Sequence, residues 1–282
     1  MIHTFLKDLA RKNVLITGGG TGLGKEMAKS FYELGSNVVI CSRKKEIIDK
    51  TVLEITDNNR QNKFLGFKLD VRNRTEINNL RVNLLVKNMF PDIVINNAAA
   101  NFLAQSEHLS ENAWNTIIDI VLKGTLNMTT AFGEHMINTK QPGTFINIST
   151  TYADTGSAFV VPSGLAKAGC NNLVRSLAAE WGKHNIRFVG VAPGPIYTEG
   201  AFSRLDPSGR FTKELEDILP LGRLPTSKEL AAFVCYLSSD IAKPINGQII
   251  NFDGGETVLN SGEFNKLLCL KETEWCQLRT KL

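Results

Sequence analysis

The chain has 282 residues and a formal net charge of +4, from 32 basic and 28 acidic side chains. Its 43% apolar and 21% charged residues are typical of a globular protein and exclude a disordered or fibrous chain. The charge is too small to predict nucleic-acid binding, and no apolar run approaches the roughly 20 residues that would cross a bilayer.

Cysteine and histidine spacing argues against cross-links and metal sites. The five cysteines are odd in number and include no Cys-x-x-Cys pair, which predicts a reducing compartment rather than a disulfide framework. The four histidines have no metal-ligating spacing, so we expect no metal site. Residues 1–13 lack the apolar core of a secretory signal and the length of a typical transit peptide.

Short apolar runs alternate with longer amphipathic segments along most of the chain. The runs predict seven strands, at Val14–Ile16, Val38–Cys41, Phe64–Leu69, Ile93–Ile95, Thr144–Ile148, Phe188–Val191 and Gln248–Phe252. The segments predict helices at Lys25–Leu34, Glu46–Asp57, Arg74–Met89, Ala113–Met136, Gly164–Gly182 and Lys228–Leu237. Such alternation is typical of parallel strands joined by right-handed crossovers. We therefore predict an α/β fold, a single doubly wound parallel sheet of the Rossmann type with about seven strands, flanked by helices on both faces.

We expect residues 1–282 to form one domain, although two stretches fall outside the alternation. Residues 197–224 predict a long irregular insertion, because turn-forming residues recur there: Pro207, Gly209, Pro220 and Gly222. An insertion above the carboxyl ends of parallel strands is where a substrate lid would lie. The polar extension after Gly255 contains Trp275 and is expected to pack against a neighbouring element or subunit.

A glycine-rich turn follows the first predicted strand and opens the first helix. Glycine lets the backbone approach a pyrophosphate closely, and a helix N-terminus offers free N–H groups and a positive dipole. A glycine run alone is a weak signal, but its place between strand and helix predicts a nucleotide site. The expected cofactor-binding residues are Gly18, Gly19, Gly20, Thr21, Gly22, Leu23 and Gly24.

The end of the second predicted strand indicates which dinucleotide binds. An Asp or Glu there would hold the ribose 2′-hydroxyl of NAD, but the chain has no acid at this point. Arg43 and Lys44 can neutralise a 2′-phosphate, which favours NADPH; an ordinary solvated loop is the alternative. Asp70, at the end of the third strand, can accept from the adenine amino group or serve as a plain turn or cap.

Four motifs follow one another along nearly the whole chain: Thr17–Gly24, Asn96-Asn97-Ala98-Ala99, Pro193-Gly194-Pro195-Ile196 and Asp253-Gly254-Gly255. In these motifs and their order the chain resembles the short-chain dehydrogenase/reductase family. The resemblance implies a Rossmann-type fold and adds four expected cofactor contacts, Pro193, Gly194, Pro195 and Ile196.

The chain departs from that family at its catalytic positions. Most members carry a Tyr-x-x-x-Lys pair on one helix face, and the tyrosine donates its proton to a carbonyl. No tyrosine here precedes a lysine by four residues; Ser163 stands four residues before Lys167. Thr150 occupies the family's serine position and Val121 the position of the helix asparagine, so only the lysine remains of the usual four residues.

These departures resemble a subfamily, the 2,4-dienoyl-CoA reductases of the mitochondrial type. The likeness lies in residues 99–102, 152–159, 200–207 and 261–265. It implies NADPH-dependent reduction of 2,4-dienoyl-CoA thioesters to 3-enoyl-CoA, an auxiliary step in the β-oxidation of unsaturated fatty acids. Such a site must stabilise an oxyanion more than it must deliver a proton to a carbonyl.

The resemblance implies a catalytic role for four side chains. Tyr152 and Asn101 match the two donors to the thioester oxygen, and Lys167 matches the residue that holds the nicotinamide ribose. Ser163 can add a hydrogen bond to substrate or cofactor. Plainer roles stay open: Tyr152 as the cap of a strand–helix connection, Asn101 as a turn residue and Ser163 as a common helix-start residue.

Coenzyme A carries three phosphate groups, so basic residues are expected near the mouth of the site. By resemblance the acyl-CoA contacts are Arg72, Ser110 and Arg204, with Asn101, Phe102 and Tyr152 nearer the reacting group. Arg204 lies in the predicted lid, whereas Arg72 could as easily pair with a surface acid. Phe102 could pack on the acyl chain or merely on the core.

Two other functions and three compartments stay open. The chain could be an NADPH-dependent carbonyl reductase that acts on 3-oxoacyl thioesters, or a catalytically silent NADPH-binding protein. The subfamily resemblance implies a mitochondrial homotetramer. A peroxisomal or cytoplasmic protein is the alternative. Residues 280–282 read Thr-Lys-Leu, which is close to the peroxisomal Ser-Lys-Leu address without being identical to it.

Overall fold

A computed structural model describes residues 6–198, 206 and 208–280. Its strands are β1 (Asn13–Thr17), β2 (Asn37–Ser42), β3 (Phe64–Lys68), β4 (Ile93–Asn96), β5 (Gly143–Ile148), β6 (Ile186–Pro193) and β7 (Ile249–Phe252). They form one parallel sheet in the order β3-β2-β1-β4-β5-β6-β7. The predicted single parallel sheet of seven strands is therefore confirmed.

Helices cover both faces of this sheet. Those of the described residues are α1 (Gly22–Glu33), α2 (Lys45–Ile55), α3 (Arg74–Val86), α4 (Glu111–Ile118), α5 (Gly124–Thr139), α6 (Tyr152–Thr155), α7 (Val161–Trp181), α8 (Arg210–Ile218), α9 (Ser227–Ser238), α10 (Glu256–Ser261) and α11 (Glu272–Arg279). A π-helical turn, Asp119–Lys123, joins α4 to α5. In the part of the chain that the structure describes, no helix combines the length and apolarity needed to cross a membrane.

The order of the strands reverses at the centre of the sheet. β1 pairs with β2 on one side and with β4 on the other, so that Val14 lies opposite both Val38 and Ile93. Successive connections run to opposite edges from this point, which opens a crevice between the loops after β1 and β4. In a doubly wound sheet, ligands bind in that crevice, at the carboxyl ends of the strands.

Two apolar clusters form the core, one on each face of the sheet. Leu15 of β1 belongs to the cluster under α3, α5 and α7, whereas its neighbours Val14 and Ile16 belong to the cluster under α1 and α9. Alternate side chains of a strand point to opposite faces, so a strand covered on both faces must be apolar throughout. Phe132 and Phe31 are fully buried and pack one in each cluster.

The predicted helix Ala113–Met136 is wrong in one respect, because the π-helical turn interrupts it. There the carbonyl of Val121 accepts from the Thr125 hydroxyl at 2.7 Å and from Sγ of Cys170 at 3.4 Å. Side chains thus satisfy the Val121 carbonyl at the point where the π-helical turn disturbs the regular hydrogen bonding of the helix backbone. Apolar periodicity does not reveal such a turn, since the helix continues in the same direction beyond it.

The stretch predicted to be an irregular insertion contains helix α8, so that prediction is wrong for residues 210–218. The glycines and prolines around this short segment indicated a loop. Of the predicted lid, residues 199–205 and 207 lie outside the described residues. The extension after Gly255 also forms helices, α10 and α11, and Trp275 is 38% exposed.

Gly133 on α5 lies against the indole of Trp181, and a Cβ there would be 2.2 Å from Cζ3. We expect Gly133→Ala to lower the free energy of unfolding by about 1–3 kcal/mol, because the ring must move. The gain in helix propensity, about 1 kcal/mol, offsets part of this loss. Urea unfolding followed by circular dichroism measures the difference.

Gly164→Ala is the matched control, because a Cβ there would meet its nearest atom at 3.6 Å. This variant should be as stable as the parent protein or slightly more stable. A Gly133→Ala protein that also matches the parent would contradict the close packing of α5 on Trp181.

Candidate active site

The glycine turn after β1 is folded tightly onto the end of β2. Gly18, with φ of +65°, and Gly19 both donate their N–H groups to the Cys41 carbonyl, at 2.8 and 3.3 Å. A Cβ on Gly24 would lie 2.3 Å from the Gly18 carbonyl oxygen, so the first turn of α1 can approach the loop only with glycine there. The turn is therefore built by local close packing.

Asn97 ties this turn to the loop after β4. Its Nδ2 donates to the carbonyls of Thr17 at 2.9 Å and Gly18 at 3.3 Å. In return the Thr17 hydroxyl oxygen accepts from the N–H groups of Asn97 and Ala98, both at 3.0 Å. The motif at 96–99 and the glycine turn at 17–24 thus hold the two sides of the central crevice together.

A cleft of about 410 Å³ lies at this crevice. Its predicted cofactor-binding residues are Gly18, Thr21, Gly22, Leu23, Gly24, Arg43 and Asp70. Within the described residues, no acid stands in the first turn of α1 and no side chain caps its N-terminus, which leaves those N–H groups able to bind an anion. The glycine cradle and this helix end fit the pyrophosphate of a dinucleotide.

The other predicted cofactor residues do not line the cleft itself. Gly19 and Gly20 form the back of the glycine turn, where their Cβ atoms would meet Ile40 at 2.6 Å and Ile47 at 3.0 Å. Lys44 is exposed beside Arg43. The motif Pro193-Gly194-Pro195-Ile196 lies at the end of β6 and beyond it.

Arg72 is bonded to Asp70 at the far side of the cleft. Its Nε donates to the two carboxylate oxygens at 3.0 and 3.1 Å, and its Nη2 donates to Oδ2 at 2.6 Å. This pairing lowers the pKa of Asp70, with a smaller contribution from Arg43. Arg72 therefore pairs with an acid that lines the cleft itself, and its predicted contact with acyl-CoA stays a prediction.

Two polar side chains from other elements contact the Tyr152 hydroxyl. Nδ2 of Asn101, in the loop after β4, donates to it at 3.2 Å. The Ser163 hydroxyl, from the first turn of α7, hydrogen-bonds it at 3.2 Å. Asn101 also lines the cofactor cleft. The structure therefore brings together three of the four predicted catalytic residues, next to the cleft.

Lys167 lies on α7, one turn after Ser163, and is 7% exposed. Its Nζ donates to the carbonyl of Ile148, the last residue of β5. Burial lowers the pKa of this ammonium group, with an opposing contribution from Cys170. This bond fixes the Lys167 side chain at the carboxyl end of β5, the strand that precedes Tyr152.

Asn171 is a polar residue of this region that the sequence analysis did not identify. Its Oδ1 accepts from the Ser149 hydroxyl at 2.6 Å, and its Nδ2 donates to Asp154 at 3.3 Å. It is 1% exposed. Its spacing would have revealed it, since Ser163, Lys167 and Asn171 recur every four residues and share one helix face.

The three positions at which the chain departs from the family, 121, 150 and 163, are all buried. Val121 is fully buried in the π-helical turn and belongs to the apolar cluster under α5 and α7. Thr150 is 9% exposed, directly after Ser149. The side chain at position 121 therefore supplies no polar group behind Lys167.

Of the remaining predicted substrate residues, the structure describes Phe102 and Ser110. Phe102 is partly buried and packs against the core cluster. Ser110 caps α4, where its hydroxyl accepts from the N–H of Ala113 at 3.2 Å. Arg204 lies outside the described residues.

Comparisons with known proteins bear on the identity of this site. The family model described as Enoyl-(Acyl carrier protein) reductase matches residues 18–257. A Caenorhabditis elegans protein named "Probable 2,4-dienoyl-CoA reductase [(3E)-enoyl-CoA-producing]" is 40% identical, over 91% of this chain and 84% of its own length. A Bacillus subtilis protein named "Probable 2,4-dienoyl-CoA reductase [(2E)-enoyl-CoA-producing]" is also 40% identical, over 88% of this chain and 97% of its own length.

A solved structure supports the same assignment. The crystal structure of a short chain dehydrogenase from Bacillus anthracis superposes with a TM-score of 0.80 at 39% sequence identity. The match covers 89% of this chain and 98% of that one. The chain therefore belongs to the short-chain dehydrogenase/reductase family of oxidoreductases.

Proposed function

We propose that this protein reduces 2,4-dienoyl-CoA thioesters to 3-enoyl-CoA with NADPH. The observation that carries the proposal is the convergence of Asn101 and Ser163 on the Tyr152 hydroxyl, in a chain that lacks the Tyr-x-x-x-Lys pair. The names of the relatives at 40% identity support the substrate class.

The proposed reaction adds one hydride and one proton to the substrate. When bound in the cleft, NADPH would supply the hydride, which would add at C5, the far end of the conjugated diene. The electrons of the C4–C5 double bond shift toward the thioester carbonyl, and a dienolate forms with its negative charge on the oxygen. A proton from water then adds at C2, which leaves the double bond between C3 and C4.

Asn101 and Tyr152 are suited to stabilise that oxygen. The amide of Asn101 has two N–H groups, so one can donate to the Tyr152 hydroxyl while the other donates to substrate. With Asn101 donating to its oxygen, the Tyr152 hydroxyl can direct its own hydrogen to the same anion. Two preorganised donors aimed at a developing oxyanion are a large source of rate enhancement.

Lys167 strengthens this environment without a proton transfer. Its buried position at the end of β5 places a positive charge in a region of low dielectric, where charge interactions are stronger than in water. We propose that it also holds the nicotinamide ribose, and that Ser163 fixes the Tyr152 hydroxyl. Because no proton must reach a carbonyl, an apolar residue at position 121 is compatible with this chemistry.

We extend the proposal to the cofactor and acyl-CoA ends of the site. Arg43, exposed at the cleft, and the neighbouring Lys44 are proposed to neutralise the 2′-phosphate, and the glycine turn the pyrophosphate. Asp70 is proposed to accept from adenine, and the lid at 197–224, with Arg204, to contact acyl-CoA. We further propose a single domain that assembles as a homotetramer in the mitochondrion.

The proposed activity is tested with purified protein, NADPH and 2,4-hexadienoyl-CoA. We expect loss of dienoyl absorbance together with NADPH oxidation, and a 3-enoyl product by NMR. A 2-enoyl product would mean that the proton adds at C4, which would contradict the proposed position of protonation. Turnover of 3-oxoacyl-CoA alone would favour a carbonyl reductase. Binding of NADPH without turnover of either substrate would favour a catalytically silent binding protein.

Removal of the Tyr152 hydroxyl tests the oxyanion donor. We expect Tyr152→Phe to lower kcat for 2,4-hexadienoyl-CoA by about 10², the scale of losing one such donor. NADPH affinity, measured by fluorescence, should stay unchanged. Tyr236→Phe is the control, because that ring stacks on Phe233 and lies on α9, beneath the other face of the sheet. A Tyr152→Phe enzyme with ordinary turnover would remove Tyr152 from this role.

A charge change at Arg43 tests cofactor choice. We expect Arg43→Ala to raise KM for NADPH about tenfold or more and to leave KM for NADH unchanged, because a hydrogen bond to a charged group contributes about 1.5–3 kcal/mol. Lys45→Ala is the control: Lys45 is exposed two residues away and pairs with Asp49 at 2.7 Å. Equal KM changes for both cofactors would contradict 2′-phosphate recognition by Arg43.

A further inference from the structure

Asn171, on α7, connects the two ends of the short segment that carries Tyr152. Its Oδ1 accepts from the Ser149 hydroxyl at 2.6 Å, and its Nδ2 donates to Oδ1 of Asp154 at 3.3 Å. Ser149 directly follows β5, and Asp154 lies on α6, two residues after Tyr152. One amide therefore holds the chain on both sides of the proposed oxyanion donor.

The chemistry of the two partners determines the orientation of this amide. Carboxylate oxygens accept hydrogen bonds, so the NH2 group of Asn171 must face Asp154, and its oxygen is left to accept from the Ser149 hydroxyl. Because Asn171 is only 1% exposed, the reverse orientation would press two acceptors together in a buried place. An amide can bridge a hydroxyl and a carboxylate in this way, whereas an apolar or acidic side chain cannot.

Helix α6 needs such contacts because it is a single turn of four residues, Tyr152–Thr155. A helix this short does not hold its place through its own hydrogen bonds. Its side chains reach α7 through Tyr152, which bonds Ser163 at 3.2 Å, and through Asp154, which bonds Asn171. The first bond fixes the phenol hydroxyl, and the second fixes the helix that carries the phenol.

The exposure of Asp154 indicates that its bond to Asn171 serves position more than stability. The Asp154 side chain is 48% exposed, so solvent can reach its carboxylate without help from Asn171. Arg175 approaches the same oxygen only at 3.9 Å, and its own side chain is 54% exposed. Exposed ion pairs of this kind contribute little to stability. The buried amide, in contrast, gives α6 a fixed place against α7.

We infer that Asn171 is a positioning residue, which fixes α6 against α7 and so keeps the Tyr152 hydroxyl in contact with Asn101 and Ser163. It acts through Asp154 at one end of the segment and through Ser149 at the other. This inference rests on the proposed role of Tyr152 as a donor to the thioester oxygen.

Two variants of the half-exposed partner test the Asp154 end of the link. Asp154→Asn keeps an oxygen that accepts from Asn171, and we expect it to retain kcat for 2,4-hexadienoyl-CoA within about twofold. Asp154→Ala removes the acceptor and should lower kcat about fivefold or more with KM for NADPH unchanged, since small displacements of a catalytic group slow the chemical step. Arg175→Gln is the control for the ion pair and should have ordinary kcat.

A double-mutant cycle separates positioning from general damage. Asn171→Leu should lower kcat about tenfold, and its combination with Asp154→Ala should be no slower, because both changes remove the same bond. Asn172→Leu, at the exposed neighbouring position of α7, is the matched control and should have ordinary kcat. Additive losses would overturn the inference, as would ordinary kcat in Asp154→Ala or an Asp154→Asn variant as slow as Asp154→Ala. If Asn171→Leu fails to fold, the two Asp154 variants still decide.

A spectroscopic measurement keeps this inference distinct from the proposed reaction. Tyrosine is labelled with ¹³C at Cζ, and the Tyr152 signal is identified by its loss in Tyr152→Phe. We expect Asn171→Leu to shift or broaden this signal and Asn172→Leu to leave it unchanged. A shift in Asn171→Leu with no turnover by the parent protein would reject the proposed function and support the positioning of Tyr152. An unchanged signal together with ordinary kcat, in a parent protein that turns over, would reject the inference alone.

Discussion

The site depends on one constraint of parallel sheets, which is that neighbouring strands end at the same edge. β4 and β5 are hydrogen-bonded neighbours, so the loop with Asn101 and the turn with Tyr152 begin side by side. The two residues are 51 positions apart, and their side chains meet at 3.2 Å. Ser163 reaches the same hydroxyl from α7. The two proposed oxyanion donors are therefore brought together by strand pairing and not by spacing on a helix.

The chain retains the family's buried lysine although the Tyr-x-x-x-Lys pair is absent. Lys167 keeps its place on α7, while the phenol comes from α6 and the serine takes the position four residues before the lysine. The partner of the Lys167 ammonium group is a backbone carbonyl, and the ion pairs of the described residues do not include it. In the proposed reaction, an ammonium group whose partner is a neutral carbonyl would stabilise an anion in a region of low dielectric.

The fold was predictable from the sequence because its signals are local. Each strand is a short apolar run, and the glycine turn stands where close packing requires it, as at Gly24. The meeting of Asn101 with Tyr152 was accessible only through resemblance, since no spacing rule connects them. The π-helical turn at 119–123 and the capping role of Ser110 depend on particular contacts that periodicity does not contain.

Buried charged side chains at the two ends of the strands differ in how well they are hydrogen-bonded. Arg187, at the start of β6, donates to the carbonyls of Leu237 at 2.6 Å and Ile245 at 3.3 Å. These two bonds connect the start of β6 to the end of α9 and to the segment before β7. At the carboxyl edge, Glu256 keeps an unpaired oxygen beside Gly194. Satisfied buried groups stabilise a fold, whereas unsatisfied ones persist where the surrounding structure enforces them. Among the described residues, Asn96 Oδ1 and Asn147 Nδ2 are also buried without a partner toward the carboxyl ends of β4 and β5, whereas Arg81 Nε lies on α3.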